Sequence, residues 1–171
     1  MKEFEGLAFV FRARAILLRI KIEMLRDIRF QAARAADMGA IGDFCAECGV
    51  EADTRTEDPA RLDHVARLRE KIVGWAVGEC IDDAFVVRTV CVLPALRQQG
   101  IATLLVGALL MRARTRHCTT AILLTDDHPT FFARHGFSLA SLDSMPRKIE
   151  LSREFQRRFG ARTHCMCRRL D

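Results

Sequence analysis

The sequence predicts an α/β domain with a mixed sheet. Three observations predict it. Short β-branched or alternating segments recur along the chain between amphipathic ones. Two of those segments abut across the polar turn Ile81-Asp82-Asp83, a hairpin in the middle of an otherwise alternating order. The chain has 171 residues, half of them hydrophobic and 29% charged, which is enough for one domain with a full core.

Each element follows from its residues. The first strand is Ile28-Arg29-Phe30-Gln31-Ala32, and the first helix runs from Ala36 to Cys48 with Ile41 and Phe44 inward. Residues 49–60 are polar, contain Pro59 and read as a loop or short helix. Strands are expected at His64–Leu68 and at Lys71–Cys80, with Gly74 and Gly78 marking bulges or points of close approach. The strongly β-branched run Phe85–Leu93 is the next strand, closed by Pro94. Residues 98–116 read as a helix and Thr120–Leu124 as a buried strand. Pro129–Arg134 is a short helix broken at Gly136. Strands near Phe137–Leu142 and His164–Leu170 complete the chain, and no internal repeat is present.

Residues 1–23 are set apart as an extension to a single domain spanning 24–171. Phe4, Leu7, Phe11, Leu18 and Ile22 sit near helical spacing with Arg12, Arg14, Arg19 and Lys21 between them. Such a basic amphipathic helix docks on its own domain or touches a membrane surface; alternatively, translation begins at Met24.

Ten Gly and four Pro exclude a collagenous or low-complexity chain. The 27 basic and 22 acidic residues leave a net charge of +5, which suits an anionic small ligand. With 7% aromatic residues and no basic tail, no nucleic-acid partner is expected. The apolar run Leu7–Phe11 is too short for a secretory signal, and no uncharged apolar stretch reaches 18 residues. A cytoplasmic protein with seven reduced cysteines and no membrane span is the expectation.

The informative segment is Val90-Cys91-Val92-Leu93-Pro94-Ala95-Leu96-Arg97-Gln98-Gln99-Gly100-Ile101-Ala102-Thr103. A strand ends at a proline, a polar loop with one glycine follows, and a helix begins whose buried face is Ile101, Leu104, Leu105, Ala108 and Leu109. The unpaired N–H groups and the dipole at such a helix N-terminus form an anion site, and Gly100 lets the backbone approach the ligand. A G-x-x-x-x-G-K-[ST] loop and a G-x-G-x-x-G fingerprint are both missing, which argues against nucleotide hydrolysis and dinucleotide binding.

Arg97-Gln98-Gln99-Gly100-Ile101-Ala102 resembles the [RQ]-x-x-G-x-[GA] loop of the GNAT N-acetyltransferase family. Phe131-Phe132-Ala133-Arg134-His135-Gly136-Phe137 is similar to the same family's F-Y-x-x-x-G-F element. The resemblance covers about residues 25–171. It implies the GNAT fold, with a mostly antiparallel sheet of six to seven strands flanked by helices, and acetyl-CoA as cosubstrate. It implies a coenzyme site formed by Val90, Cys91, Val92, Arg97, Gln98, Gln99, Gly100, Ile101, Ala102, Thr103 and Phe132. Backbone N–H groups near Val90 to Val92 would then hold the pantetheine arm and the developing oxyanion. The tail, with Ser144-Met145-Pro146, Arg153-Glu154-Phe155 and Cys165-Met166-Cys167-Arg168-Arg169-Leu170, resembles the small amino-acid acetyltransferases of the N-acetylglutamate synthase and phosphinothricin or arsinothricin type.

Two positions depart from the family pattern. Many relatives carry a Glu base six residues before the strand-closing proline, where this chain has Arg88. A guanidinium cannot act as a base, but it clamps a carboxylate through two parallel hydrogen bonds. Arg88 is therefore the expected carboxylate ligand; otherwise it is a salt-bridge partner of Asp82, Asp83 or a neighbour. Many relatives also carry a Tyr that protonates the departing thiolate, where this chain has Phe132 and no Tyr anywhere. Proton transfer through water is the expectation, with His128 as a base; alternatively Asp127 or His128 is a plain helix cap. Arg147 and Lys148 are expected in a substrate flap, binding a side-chain carboxylate or phosphinate, or else as a solvated pair.

Cys45-Ala46-Glu47-Cys48 is a C-x-x-C on a helix. No metal site is expected: Cys165 and Cys167, beside His164, are expected to face opposite sides of a strand, and the remaining cysteines to pack as small apolar residues. The resulting functional expectation is acetylation of a small amino acid or a similar small-molecule amine, with a homodimer as the candidate assembly that the resemblance implies. The alternatives are acetylation of a protein or aminoglycoside amine, and a catalytically silent coenzyme A-binding module.

Overall fold

The computed structural model describes residues 23, 25–52, 58–141, 145–158, 160 and 162–170. Strands β1 (Ile28–Ala32), β2 (Arg61–Leu68), β3 (Lys71–Ile81) and β4 (Ala84–Val92) form an antiparallel meander. β5 (Thr120–Thr125), β6 (Ser138–Leu139) and β7 (His164–Arg169) extend it to a seven-stranded sheet of order β1-β2-β3-β4-β5-β7-β6. The β4–β5 pair is parallel and the other neighbouring pairs are antiparallel. Helices α1 (Met38–Cys48), α2 (Ile101–Thr115), α3 (Pro129–Ala133), α4 (Arg147–Glu150) and α5 (Arg153–Arg158) flank it. This is the expected architecture. The expected extension lies outside the described residues but for Glu23.

β2 and β3 are held by a buried polar knot. Arg61 forks onto Asp63, with Nε 2.5 Å from Oδ2 and the terminal nitrogen 2.8 Å from Oδ1, and Trp75 Nε1 donates to Asp63 Oδ1 at 2.9 Å. Asp63 is 8% exposed and Trp75 fully buried. Burying a carboxylate is costly unless it is paired and hydrogen-bonded, as here. These polar residues extend β2 three positions ahead of the expected His64 start. The β3–β4 hairpin closes at Asp82, whose φ of 54° is a left-handed conformation that Asp tolerates.

α2 sets the spacing of the functional end. A Cβ on Gly74 of β3 would lie 3.0 Å from Ile101 Cγ2 and from Leu105 Cδ1, so the bare glycine seats the helix on the sheet. The helix buries Ile101, Leu105, Val106, Leu109, Leu110 and Ala113. Each large side chain so buried contributes about 1.5–3 kcal/mol. This seating corrects the expected face: Leu104 is turned outward, 55% exposed. The helix begins at Ile101 and not at residue 98, because Gln98 (φ 61°) and Gly100 (φ 82°) are both left-handed. β6 is likewise reduced to Ser138–Leu139, since Phe137 turns into the core.

A second, smaller core of Ala84, Val86, Ile122, Met145, Ile149, Phe155 and Cys165 lies where α4 and α5 pack on β4, β5 and β7. These two short helices were not foreseen in the sequence. Cys167 packs against the same cluster as Cys165, so the two share a face of β7, as the two-residue period of a strand requires. The expectation of opposite faces is corrected. Among the described residues no group of three or more His, Cys, Asp or Glu is arranged to hold a metal ion.

Candidate active site

The sheet opens between its two parallel strands. β4 and β5 pair from Ala84/Thr120 to Val87/Leu123 and no further. β5 stays paired with β7 up to Thr125/His164, while β4 stays paired with β3 up to Val92/Gly74. The backbone of β4 beyond Val87 therefore faces a gap. A narrow cleft sits at its start, lined by Val86, Val87, Arg88, Ile122, Leu123, Leu124, Ile149 and Phe155.

Strand alternation identifies which donors face that gap. The Leu93 N–H bonds the Val73 carbonyl on β3 at 3.0 Å. N–H directions repeat every second residue, so Cys91 also points to β3 and Val90 and Val92 point away. The Val92 carbonyl agrees: it accepts from Arg97 Nε at 3.1 Å and so faces away from β3. Val90 and Val92 thus present N–H groups to the gap, as an oxyanion or amide-binding edge requires. The Cys91 thiol turns the other way, toward α1, where burial and the neighbouring Cys48 push it up to about 12.

The loop after β4 leads into the N-terminus of α2. A 3-10 turn, Pro94–Leu96, leads into Arg97, and Gln99 Nε2 donates to the Arg97 carbonyl at 3.2 Å. Gly100 caps α2, and the first intrahelical bond runs from Leu104 N–H to the Gly100 carbonyl at 3.1 Å. The N–H groups of Ile101, Ala102 and Thr103 precede that bond and form the positive end of a 15-residue helix. The Ile101 side chain is buried against Gly74, so only its backbone serves a ligand. Gln98 and Thr103 are exposed beside it.

On the far side of the gap, α3 follows β5 and packs toward β7. Phe132, 8% exposed, meets Phe131 and Phe137 edge-on at 4.9 and 6.0 Å between ring centres. His128 occupies the cap position of α3, but its exposed side chain makes no capping bond; its backbone N–H donates to Thr125 Oγ1 at 3.2 Å.

The acidic partner of Arg88 is Glu79 on β3, not Asp82 or Asp83. Asp82 instead pairs with Lys148 at 2.7 Å, and Asp83 accepts from Thr119 Oγ1 at 2.9 Å. Arg147 and Lys148 lie on α4, exposed, beside the β3–β4 hairpin. Glu79 had no local motif to mark it in the sequence; the strand register gives it its place. Arg88 therefore lies at the start of the gap, the glycine loop follows the end of β4, and His128 and Phe132 follow β5.

A meander whose fourth strand parts from a parallel fifth, with a glycine-capped helix between them, is the fold of the GNAT acetyltransferases. Residues 62–139 match the family model described as the acetyltransferase (GNAT) domain. Three solved structures illustrate the likeness. The ribosomal-protein-S18-alanine N-acetyltransferase from Escherichia coli is 14% identical with a TM-score of 0.65, covering 84% of this chain and 94% of that one. N-acetylglutamate synthase from Neisseria gonorrhoeae, complexed with coenzyme A and N-acetyl-glutamate, is 20% identical with a TM-score of 0.66. There 84% of this chain is covered but only 35% of the synthase, so the likeness spans about a third of that protein. Rv2747 from Mycobacterium tuberculosis, in complex with CoA and NLQ, is 25% identical with a TM-score of 0.64, covering 82% and 98% of the two chains. No curated protein matches the chain by sequence. Residues 62–139 are thus similar to the acetyltransferase (GNAT) domain, and the fold is the GNAT fold. No helix among the described residues is long and apolar enough to cross a membrane.

Proposed function

We propose that the protein transfers the acetyl group of acetyl-CoA to the amino group of a small amino acid, and that Arg88 holds the acceptor's carboxylate. The observation that carries this reading is the position of Arg88: it lines the pocket where β4 and β5 part, beside the strand edge that presents Val90 and Val92. A cationic acceptor favours an acidic wall at that point; a guanidinium favours a carboxylate.

The loop from Arg97 to Thr103 would hold the pyrophosphate through backbone donors, with Val90 and Val92 along the pantetheine and thioester. Attack of the amine on the thioester carbon makes a tetrahedral oxyanion within reach of those N–H groups. The departing thiolate is a tolerable leaving group, since a free thiol has a pKa near 8.5. With Phe132 in the position of the family's tyrosine, its proton arrives through water. His128, exposed at the end of β5, is a candidate relay, and Arg147 and Lys148 are candidates for a side-chain acid group. The Lys148–Asp82 pair is 70% and 55% exposed, and an exposed pair of this kind yields at a cost of about 0–1 kcal/mol.

Release of coenzyme A thiol from acetyl-CoA, measured against the twenty amino acids, phosphinothricin, aminoglycosides and short peptides, tests this. Turnover on an amino acid or phosphinothricin is expected. Turnover confined to peptides or aminoglycosides overturns the acceptor, and silence with coenzyme binding intact points to a binding module.

A further inference from the structure

We propose that Glu79 is the group that receives the acceptor's ammonium and takes its proton. This rests on the amine-acetylation reading above and supplies the base that the sequence leaves unassigned.

The strand register places Glu79. Opposite β3, Val77 faces Thr89 and Gly78 faces Val87, so Arg88 is the extra residue of a β-bulge, while Glu79 itself faces Val86. Arg88 stands two residues from Val86 and so shares the face of β4 that meets Glu79, and the two form an ion pair with side chains 15% and 21% exposed. The carboxylate missing from β4 is thereby provided by the neighbouring strand, paired with the Arg88 that lines the opening.

The other carboxylates nearby are committed or remote. Asp63 is held by Arg61 and Trp75. Asp82 and Asp83 are exposed at the hairpin and engaged by Lys148 and Thr119. Asp126 and Asp127 are exposed beyond β5. The charged groups that face Glu79 are Arg88 on β4 and Arg61, its register partner on β2, with Asp63 two residues along; Arg147 and Lys148 lie exposed on α4.

The pair matches the charges of a free amino acid. With no acceptor bound, guanidinium and carboxylate neutralise each other in a half-buried site, where an unpaired charge is costly. An acceptor carboxylate takes the place of Glu79 on Arg88, and the freed Glu79 faces the acceptor's ammonium. Both charges stay paired before and after the exchange. The ammonium then gives one proton to a Glu79 carboxylate oxygen, and the nitrogen lone pair forms the bond to the thioester carbon. Collapse of the tetrahedral adduct breaks the carbon–sulfur bond, and the second nitrogen proton passes through water to the thiolate. Glu79 releases its proton to solvent, so one amide, one thiol and one proton result.

The test compares wild type, Glu79→Gln, Glu79→Asp and His128→Ala with the amine that wild type turns over fastest, from pH 6 to 10, alongside acetyl-CoA affinity. Glu79→Gln is expected to keep acetyl-CoA affinity and to lose roughly 10²-fold in kcat/KM at pH 7, the low end for loss of a proton acceptor. The deficit should shrink as pH rises toward the pKa of the amine, because free amine then needs no base. Glu79→Asp should recover part of the rate. A Glu79→Gln rate within threefold of wild type, or a deficit that is the same at every pH, overturns the proposal; so does a pH-dependent loss confined to His128→Ala. Those outcomes leave amine acetylation standing. Silence of the wild type toward every amine overturns both.

Discussion

Arg97 Nε donates to the Val92 carbonyl at 3.1 Å, tying the loop before α2 to the last residue of the strand that borders the gap. The bond joins the two ends of the turn that runs from β4 through Pro94 toward Gly100.

Gly100 tests that turn. A Cβ there meets nothing within 4 Å, so Gly100→Ala is strained only by its φ of 82°, at about 1–2 kcal/mol. Gly100→Pro additionally fixes φ near −65° and removes an N–H donor. Calorimetric titration with acetyl-CoA should show a small loss of affinity for the alanine variant and at least a tenfold loss for the proline variant. Wild-type affinity in Gly100→Pro contradicts the phosphate-loop assignment.

Gly74 tests the seating of α2. Gly74→Val inserts a branched side chain where Ile101 Cγ2 and Leu105 Cδ1 already stand 3.0 Å from the Cβ position. Overpacking of this kind costs about 1–3 kcal/mol, and it should also displace the helix N-terminus. Urea unfolding should show a lower midpoint together with weaker acetyl-CoA binding; an unchanged midpoint excludes the contact.

Arg88→Ala separates carboxylate recognition from coenzyme binding. KM for the amino acid should rise at least tenfold, with KM for acetyl-CoA within threefold of wild type. An unchanged amino-acid KM removes the clamp, whatever Glu79 does.

The cysteines divide by burial. Burial, joined by neighbouring thiols, pushes Cys45 and Cys165 up to about 11 and Cys91 and Cys118 up to about 12. The thiolate is the reactive form. Peptide mapping after brief alkylation of the native protein at pH 8 should find label on the half-buried Cys48, Cys80 and Cys167, and label on the other four only after unfolding. Equal labelling of all seven contradicts the packing described here.

The functional end was legible in sequence because its signals are local. A β-branched strand, Pro94, one glycine and an amphipathic helix follow one another within residues 84–115, and the structure has them in that order. The helix start was read three residues early, since nothing in Gln98 or Gln99 announces a left-handed backbone. The face of α2 was misjudged at Leu104 because the seating depends on Gly74, which lies 30 residues away in the chain. Arg61 and Asp63 hid the start of β2, since two charges mask a strand until Trp75 is seen to complete their bonding. Glu79 was missed because it and Arg88 stand on different strands, and only the pairing of β3 with β4 brings them together.

The measurement that bears most directly on the whole account is incubation of the purified protein with isotope-labelled acetyl-CoA and an equimolar mixture of amino acids, followed by mass spectrometry of the small molecules and a thiol count corrected for the protein's own cysteines. The account predicts one labelled N-acetyl amino acid formed for each coenzyme A thiol released. Thiol release with no labelled amide, or tight acetyl-CoA binding with neither product, would contradict it.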